Sequence, residues 1–475
     1  VLPVFTGGFA DRYGHKRTIV VAILIKIVGY ILMAVRMDYV GFFLGCICLA
    51  AGTAIFKPGI QGILALQLKE ANASVGWSVF YQLVNVGGFL GPYLASVMRL
   101  MAWRYVFIAC AVIISINFLL LLTFPEPERE KAEDEVDDDG ASNGKMGGFL
   151  KVLWDGVIGV FEPRLAAFMV VFSGFWAMFH QLFDLLPVYI DDWIDTSMVT
   201  DALIVPLFAI FGASVPVEWA GQVPPEQMIN LNAGMCMLLA FLIGYYTGKV
   251  RSMTAMIAGI LVSAAAIYSL GLTTNGWTIL ICIAAFSIGE LMSSPTKMRY
   301  FASIAPPGKK ATYLGYVNAT GGIGWALGSL IAGAMYEEGG DKVVLARRYL
   351  VDTLGQDATV IKDMAKTEVM PHLAAATDQT VAAAQTMLYD LYDPSFIWTH
   401  FAIVGLVSMF GLIIFDLVTR KTEPKVETAL LVVLTFAVSF WTYGLVPSLV
   451  FLGGMVAYIV LEKLAPNLLP HGQSG

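Results

Sequence analysis

The chain has 475 residues, of which 57% are hydrophobic and only 14% charged, and its formal net charge is -7. Ordinary soluble domains carry about 25% charged residues, so the composition excludes a typical water-soluble enzyme and points to a chain that dissolves largely in lipid. The acidity is concentrated in a linker at 126–139 and a polar insert at 337–395, which leaves no basic face for nucleic acid. The five cysteines, Cys46, Cys48, Cys110, Cys236 and Cys282, lie in apolar runs without disulfide or metal-ligand spacing.

The sequence opens on an apolar stub, 1–6, that is too short to span a bilayer, and we read it as the end of a second transmembrane helix whose predecessor is missing rather than as a signal peptide. A short polar segment follows, Gly7-Gly8-Phe9-Ala10-Asp11-Arg12-Tyr13-Gly14-His15-Lys16-Arg17. Its glycines permit a tight turn between packed helix ends, and Asp11 can lie against a helix terminus in one conformation only. The segment therefore reads as a latch between two states.

A span needs about 20 apolar residues. Such runs occur at 18–36, 39–66, 75–98 and 103–124, then after the charged linker at 164–190, 226–247, 253–272, 277–299, 311–335 and 396–418, with two shorter runs at 427–443 and 447–464. The apolar stretch 203–214 is too short to cross and is expected to be an external re-entrant or interfacial segment. Arg12, Lys16, Arg17, Lys249, Arg251, Lys309, Lys310, Arg420, Lys421 and Lys425 then all fall on one side, which makes that side cytoplasmic. Arg36, Arg99 and Arg104 fall on the other. The insert at 337–395 faces outward, and its Ala-rich stretch 381–391 predicts a helix. The segment 244–251 echoes the first polar loop, as duplicated transporter halves would leave.

Charges inside spans are costly and mark function. Lys57 lies about 14 Å before the end of its apolar run, and Glu290 about 14 Å before Arg299. They occupy counterpart helices of the two halves, each followed by a proline, Pro58 and Pro295. We expect them to form a charge pair between the halves. Snorkelling of Lys57 toward the headgroups is the competing reading of that residue. Trp176, His180 and Asp184 fall on one helix face at four-residue spacing, so His180 and Asp184 could relay protons or simply form a polar stripe. Lys26 has no evident partner. Glycines 321, 322, 324 and 328, and 87, 88 and 91, predict close helix approach in both halves.

The first polar segment resembles the signature loop of the major facilitator superfamily, with Gly7, Asp11, Arg12, Gly14, Lys16 and Arg17 as its gating residues. Further stretches resemble the proton-dependent oligopeptide transporters within it: Gly52–Pro58, Phe80–Gly87, Phe175–Gln181, Pro225–Asn232, and Gly289–Pro295 continuing through Ser303-Ile304-Ala305-Pro306 to Gly315. The sequence departs from that family at His180, at Ala233 after Asn232, and on helix eleven, where Tyr316 is displaced by one position. The resemblance implies an all-α fold of two pseudo-symmetric six-helix bundles, with the first helix missing here and a C-terminal hairpin added. It implies proton-coupled symport of di- and tripeptides by alternating access, with Lys57 and Glu290 as the coupling pair and Glu290 meeting the peptide amino group. Asn85 and Asn232 would bond the peptide backbone, while Trp176, Gln181 and Tyr316 would line the cavity. A carrier for a drug, sugar or amino acid derivative is the alternative.

The expected organisation is an N-terminal bundle at 1–124, a cytoplasmic linker at 125–163, a C-terminal bundle at 164–336 completed by a helix at 396–420, the external insert between them, and the hairpin at 427–464. The expected partners are a small-molecule substrate, protons and the bilayer of a cell membrane. The motifs of metalloproteases, thiol redox proteins and serine hydrolases are absent from the sequence. No cofactor other than the proton gradient is implied, and a monomer is expected.

Overall fold

A computed structural model describes residues 2–99, 101–127, 145–210, 215, 221–465 and 469. Most of the acidic linker and the end of the 203–214 segment lie outside these residues. The described elements are helical; among these residues there is no β-strand, only an isolated bridge between Asp195 and Asn275.

The first half comprises α1 (Pro3–Tyr13), α2 (His15–Val35), α3 (Tyr39–Gln67), α4 (Ala73–Arg99) and α5 (Trp103–Leu122). After the linker come α6 (Lys145–Gly159), α7 (Pro163–Asp184), α8 (Leu186–Trp193), the short α9 (Ser197–Val199) and α10 (Val205–Ile210). The second half continues with α11 (Pro225–Thr247), α12 (Ser252–Leu270), α13 (Gly276–Ile304) and α14 (Lys310–Gly339). The insert between the last two bundle helices holds α15 (Lys342–Asp352), α16 (Ala358–Asp363), α17 (Lys366–Ala376) and α18 (Val381–Tyr392). Then α19 (Phe396–Lys421), α20 (Pro424–Tyr443) and α21 (Leu445–Leu464) close the chain. Ten of these helices are long and apolar enough to cross a membrane.

Local chemistry sets several helix starts. Asp38 caps α3 by accepting from the Gly41 amide at 2.7 Å, Asn275 caps α13 through the Trp277 amide at 2.9 Å, and Glu162 accepts from the Leu165 amide of α7, with Pro163 in the first turn. Such caps satisfy amides that no helical carbonyl can reach. Helix α14 has no side-chain cap of its own, and its cap comes from the other half of the molecule.

Three expectations need correction, and the linker holds a helix. The signature segment is mostly helical: α1 runs to Tyr13, and the turn is confined to Gly14, whose φ of 98° suits glycine. The linker contains a helix, α6, packed on α1 so closely that a Cβ on Gly156 would lie 2.5 Å from the Val4 carbonyl oxygen. The span that was expected to end at residue 299 runs to Ile304. There the Arg299 guanidinium donates to the Thr247 and Val250 carbonyls and the Ser252 hydroxyl, so this cation closes the neighbouring α11–α12 turn instead of ending its own helix. Finally, Gly324 and Gly328 pack against Ser173, Trp176 and Ala177 of α7 as expected, but Gly87, Gly88 and Gly91 face open space.

The expected peripheral hairpin is tied in. Arg164 at the start of α7 forks onto the carboxylate of Glu427, which is 4% exposed, and Tyr443 donates to the Ser173 hydroxyl at 2.9 Å. Bidentate pairing of this kind fixes orientation as well as adding energy.

Candidate functional site

The two halves are fastened at the end that carries the Gly14 turn. Asp11 accepts from the backbone amides of Ala311 and Thr312 at 3.0 and 2.8 Å and from the Thr312 hydroxyl at 2.7 Å. It therefore supplies the missing N-terminal cap of α14, where a negative charge also meets the positive end of the helix dipole. Gly7 permits the approach, since a Cβ there would lie 2.9 Å from the Ala311 carbonyl oxygen. On the far side of the Gly14 turn, Glu126 accepts from the amides of His15 and Lys16, while the Lys16 ammonium donates to the Phe124 carbonyl at 2.6 Å. Arg12 lies against the Tyr13 ring, and Arg17 is exposed.

Above this latch, Asn318 of α14 donates to Gln61 of α3 at 2.5 Å, and Gln61 donates to the Met298 sulfur of α13 at 3.2 Å. The Ser74 hydroxyl of α4 reaches the Gly244 carbonyl of α11 at 2.8 Å. Higher still, Gln82 donates to the Met237 carbonyl at 2.6 Å. Farther along α4, Leu83, Val84, Leu90 and Leu94 are exposed. The cleft, the seam between the halves, is thus closed from the Gly14 turn to the level of Gln82.

Glu290 lies at the wall of this cleft and is 2% exposed. Tyr81 of the first half donates to one carboxylate oxygen; Asn232 donates to the other at 2.8 Å, and the Cys236 thiol lies 3.7 Å from it. Asn232 also donates to the Ser287 hydroxyl at 2.9 Å. A buried carboxylate demands such partners, because an unpaired charge in this setting is very costly.

The expected ion pair between Lys57 and Glu290 is not present among the described residues. Glu290 stands about 21 Å above the end of α13 at Ile304 and Lys57 about 15 Å above the end of α3 at Gln67, so the two do not share the depth that was expected. A second buried charge of α13 lies below the level of Lys57. Lys297, about 10 Å above Ile304, is 2% exposed, and its ammonium lies over the Trp176 ring at 4.1 Å and the Phe172 ring at 5.5 Å. Lys57 is exposed and lies within electrostatic reach of it. Lys297 lies inside the same span, and the rule that selected Glu290 applies to it equally. Tyr81 was passed over as part of a motif.

The remaining expected residues divide. Trp176 lines the site beneath the Lys297 ammonium, and its indole N–H has no partner. Gln181 is buried, bonded through its amide to its own helix at Ala177, with its carbonyl oxygen unpartnered. Asn85 donates to the Tyr81 carbonyl one turn back. His180 stacks on the Trp325 ring with centroids 4.8 Å apart, while Asp184 accepts from the Trp325 indole at 2.7 Å and the Ser329 hydroxyl at 2.6 Å. Trp325 thus contacts both, and no hydrogen bond joins His180 to Asp184 among the described residues. Tyr316 does not line the cleft. It is 2% exposed, its hydroxyl reaches the Asp155 carbonyl of α6 at 3.3 Å, and neighbouring Gly315 packs on Pro3 of α1. Lys26 rests over the Phe56 ring at 4.8 Å.

Comparisons with known proteins agree on the architecture. Residues 1–243 and 226–346 match the sequence model of the Major Facilitator Superfamily. The chain is 24% identical over 342 residues to a Na(+), Li(+), K(+)/H(+) antiporter of Planococcus maritimus, a match covering 69% of this chain and 76% of that protein. It is 23% identical over 348 residues to the multidrug resistance protein MdtH of Klebsiella pneumoniae (strain 342), covering 71% and 74%. Among solved structures, the human organic anion transporter MFSD10 superposes with a TM-score of 0.54 at 14% identity, covering 86% of this chain and 80% of that one. A POT family transporter bound to 5-aminolevulinic acid gives 0.52 at 15% identity, covering 88% and 86%. At these identities the structures speak for a shared fold alone.

Proposed function

The chain belongs to the Major Facilitator Superfamily, and from that premise we propose that it is a proton-coupled symporter of di- and tripeptides working by alternating access. Membership makes it a multi-pass membrane transporter rather than an enzyme. The observation that carries the finer reading is the carboxylate of Glu290, bound by Tyr81 from one half and Asn232 from the other. A charged Glu290 holds both donors. A protonated Glu290 presents one acceptor fewer, so the bridge between the halves weakens at mid-depth. A peptide amino group arriving at Glu290 competes for the same oxygens. Substrate and proton therefore act on one contact whose loss favours movement of one half against the other, as a population shift requires.

The test is uptake of labelled dialanine by the full chain in proteoliposomes with an acidic exterior. The expected result is accumulation driven by the pH gradient, reduced to mere exchange in Glu290→Gln. Unchanged gradient-driven accumulation in that variant would eliminate the mechanism.

A second reading, proton-coupled export of a cation or a drug, is favoured by the two curated relatives named above. The direction of proton flux separates the readings: dialanine entry should carry protons inward, whereas an antiporter moves protons against an imposed sodium or drug gradient.

A further inference from the structure

The hairpin of α20 and α21 grips one corner of the molecule. Helix α6 passes into α7 through residues 160–162 alone, and the turn is stiff: the Phe161 amide donates to the Ile158 carbonyl at 3.0 Å, the Glu162 amide donates to the Gly159 carbonyl at 3.2 Å, and the Glu162 carboxylate caps α7. Each helix of the hairpin holds one side of this corner. On α21, the ring of Phe161 fills the notch at Gly454, so closely that a Cβ there would overlap it. On α20, the buried carboxylate of Glu427 takes the Arg164 guanidinium in a fork. Tyr458, one turn beyond Gly454, is buried and lies within electrostatic reach of Glu162.

Fixing this corner fixes α6, and α6 lies across the joint between the two halves. Its Val152 packs on Gly8 of α1, its backbone at Gly156 rides over the Val4 carbonyl, and its Asp155 carbonyl accepts from the Tyr316 hydroxyl of α14 at 3.3 Å. Beneath it, α14 meets α1 directly, since a Cβ on Gly315 would lie 2.6 Å from the Pro3 carbonyl oxygen. These contacts fall within two turns of Asp11 and Thr312, so α6 covers the joint that Asp11 latches. Once α1 and α14 part, α6 can stay with one of them only. Its contacts therefore belong to the closed state, and whatever holds α6 in place favours that state over the open one.

We propose that the C-terminal hairpin is a brace that sets the balance between the closed and open states of the carrier, acting through the Phe161 corner and α6 on the joint of α1 and α14. The inference rests on alternation between two states, which the reading of the chain as a carrier supplies, and not on the identity of the solute. A hairpin that only filled space beside the bundle would need nothing but apolar surface. This one brings a buried carboxylate and a glycine notch to the same corner, while the adjacent Gly453 faces open space. The two glycines form a matched pair on one helix. A larger side chain changes helix propensity equally at both, and only at 454 does it meet the corner.

The experiment records the distance between spin labels at positions 69 and 249, in the α3–α4 and α11–α12 turns, in the full chain reconstituted in lipid without substrate. In Gly454→Leu the ratio of long to short distances should rise at least about fivefold, the lower end of what overpacking a tight contact costs, whereas Gly453→Leu should leave it within about twofold of wild type, the size of an ordinary surface substitution. Phe161→Ala empties the notch and should shift the ratio in the same direction. Combined with Gly454→Leu it should bring the ratio back toward wild type, because the leucine then occupies the space of the ring and the two effects do not add. Glu427→Gln keeps the shape of the side chain and weakens the fork on Arg164; it carries the test if Gly454→Leu does not fold, with an expected rise of about two- to fivefold. Equal shifts in Gly453→Leu and Gly454→Leu, or additive effects at 161 and 454, would overturn the brace. So would a lowered melting temperature in Gly454→Leu or Glu427→Gln with an unaltered distance distribution, since the hairpin would then stabilise the fold without favouring either state.

Discussion

Glu290 and Lys297 sit two turns apart on one helix and are equally buried, each 2% exposed, yet their surroundings are opposite in kind. The carboxylate meets Tyr81, Asn232 and Cys236, donors from both halves. The ammonium faces two aromatic rings and another cation. A buried charge whose partners are built into the fold contributes to the structure's own cohesion and can gate it. A buried charge without them is a standing cost that a ligand can relieve. Sequence rules nevertheless rank the two alike.

The comparison breaks if the two sites respond alike to removal of their charge. Glu290→Leu strands the Tyr81 hydroxyl and the Asn232 amide, and we expect a loss of about 2–4 kcal/mol, read as a lower apparent melting temperature of the ligand-free protein. Lys297→Met replaces an unpaired ammonium by an apolar chain of similar length and should leave that temperature unchanged or raise it, by about 1–3 kcal/mol at most. Destabilisation by both substitutions would mean that Lys297 has a structural counter-charge, and the contrast would vanish.

Asp11 sharpens the comparison, because it is a second acid whose partners cross between the halves, this time at the floor. Asp11→Asn keeps one oxygen but loses the charge at the start of α14. The expected cost to the closed floor is about 1–2 kcal/mol, a shift of roughly five- to thirtyfold toward the state open to the cytoplasm. Spin labels at positions 69 and 249, in the α3–α4 and α11–α12 turns of opposite halves, should report a larger population at long distance. An unaltered distance distribution would show that the latch does not set the balance.

The fold was largely legible because a bilayer imposes span lengths that hydrophobic runs reveal directly, and the ends of α2, α3, α11 and α12 fall within a few residues of those runs. The site was legible in its residues more than in its pairings. Glu290, Asn232 and Trp176 come to the cleft, and Asp11 reaches its helix terminus. The Lys57–Glu290 pair is replaced by bonds from Tyr81 and Asn232 to Glu290, and the depth that suggested it was misjudged, because Arg299 bonds the α11–α12 turn and α13 continues to Ile304. Five further residues change every depth on that helix by about 7 Å. No sequence rule signals that an arginine near a span end is bonded to a neighbouring turn.

Tyr316 gives the smallest effect and the cleanest control on which residues touch substrate. Family resemblance puts an aromatic of this helix at the substrate, yet the side chain is buried beside α6 and the Asp155 carbonyl. Removing its hydroxyl costs one long hydrogen bond of 3.3 Å, about 0.5–1 kcal/mol of stability at most, and no contact in the cleft. Tyr316→Phe should therefore leave the KM for dialanine within about twofold of wild type, a difference of less than about 0.5 kcal/mol, while Trp176→Ala raises it, because that ring carries Lys297 and a free donor. A KM raised as much by Tyr316→Phe as by Trp176→Ala would place the hydroxyl at the substrate in another conformation of the cycle, one in which α14 has turned away from α6.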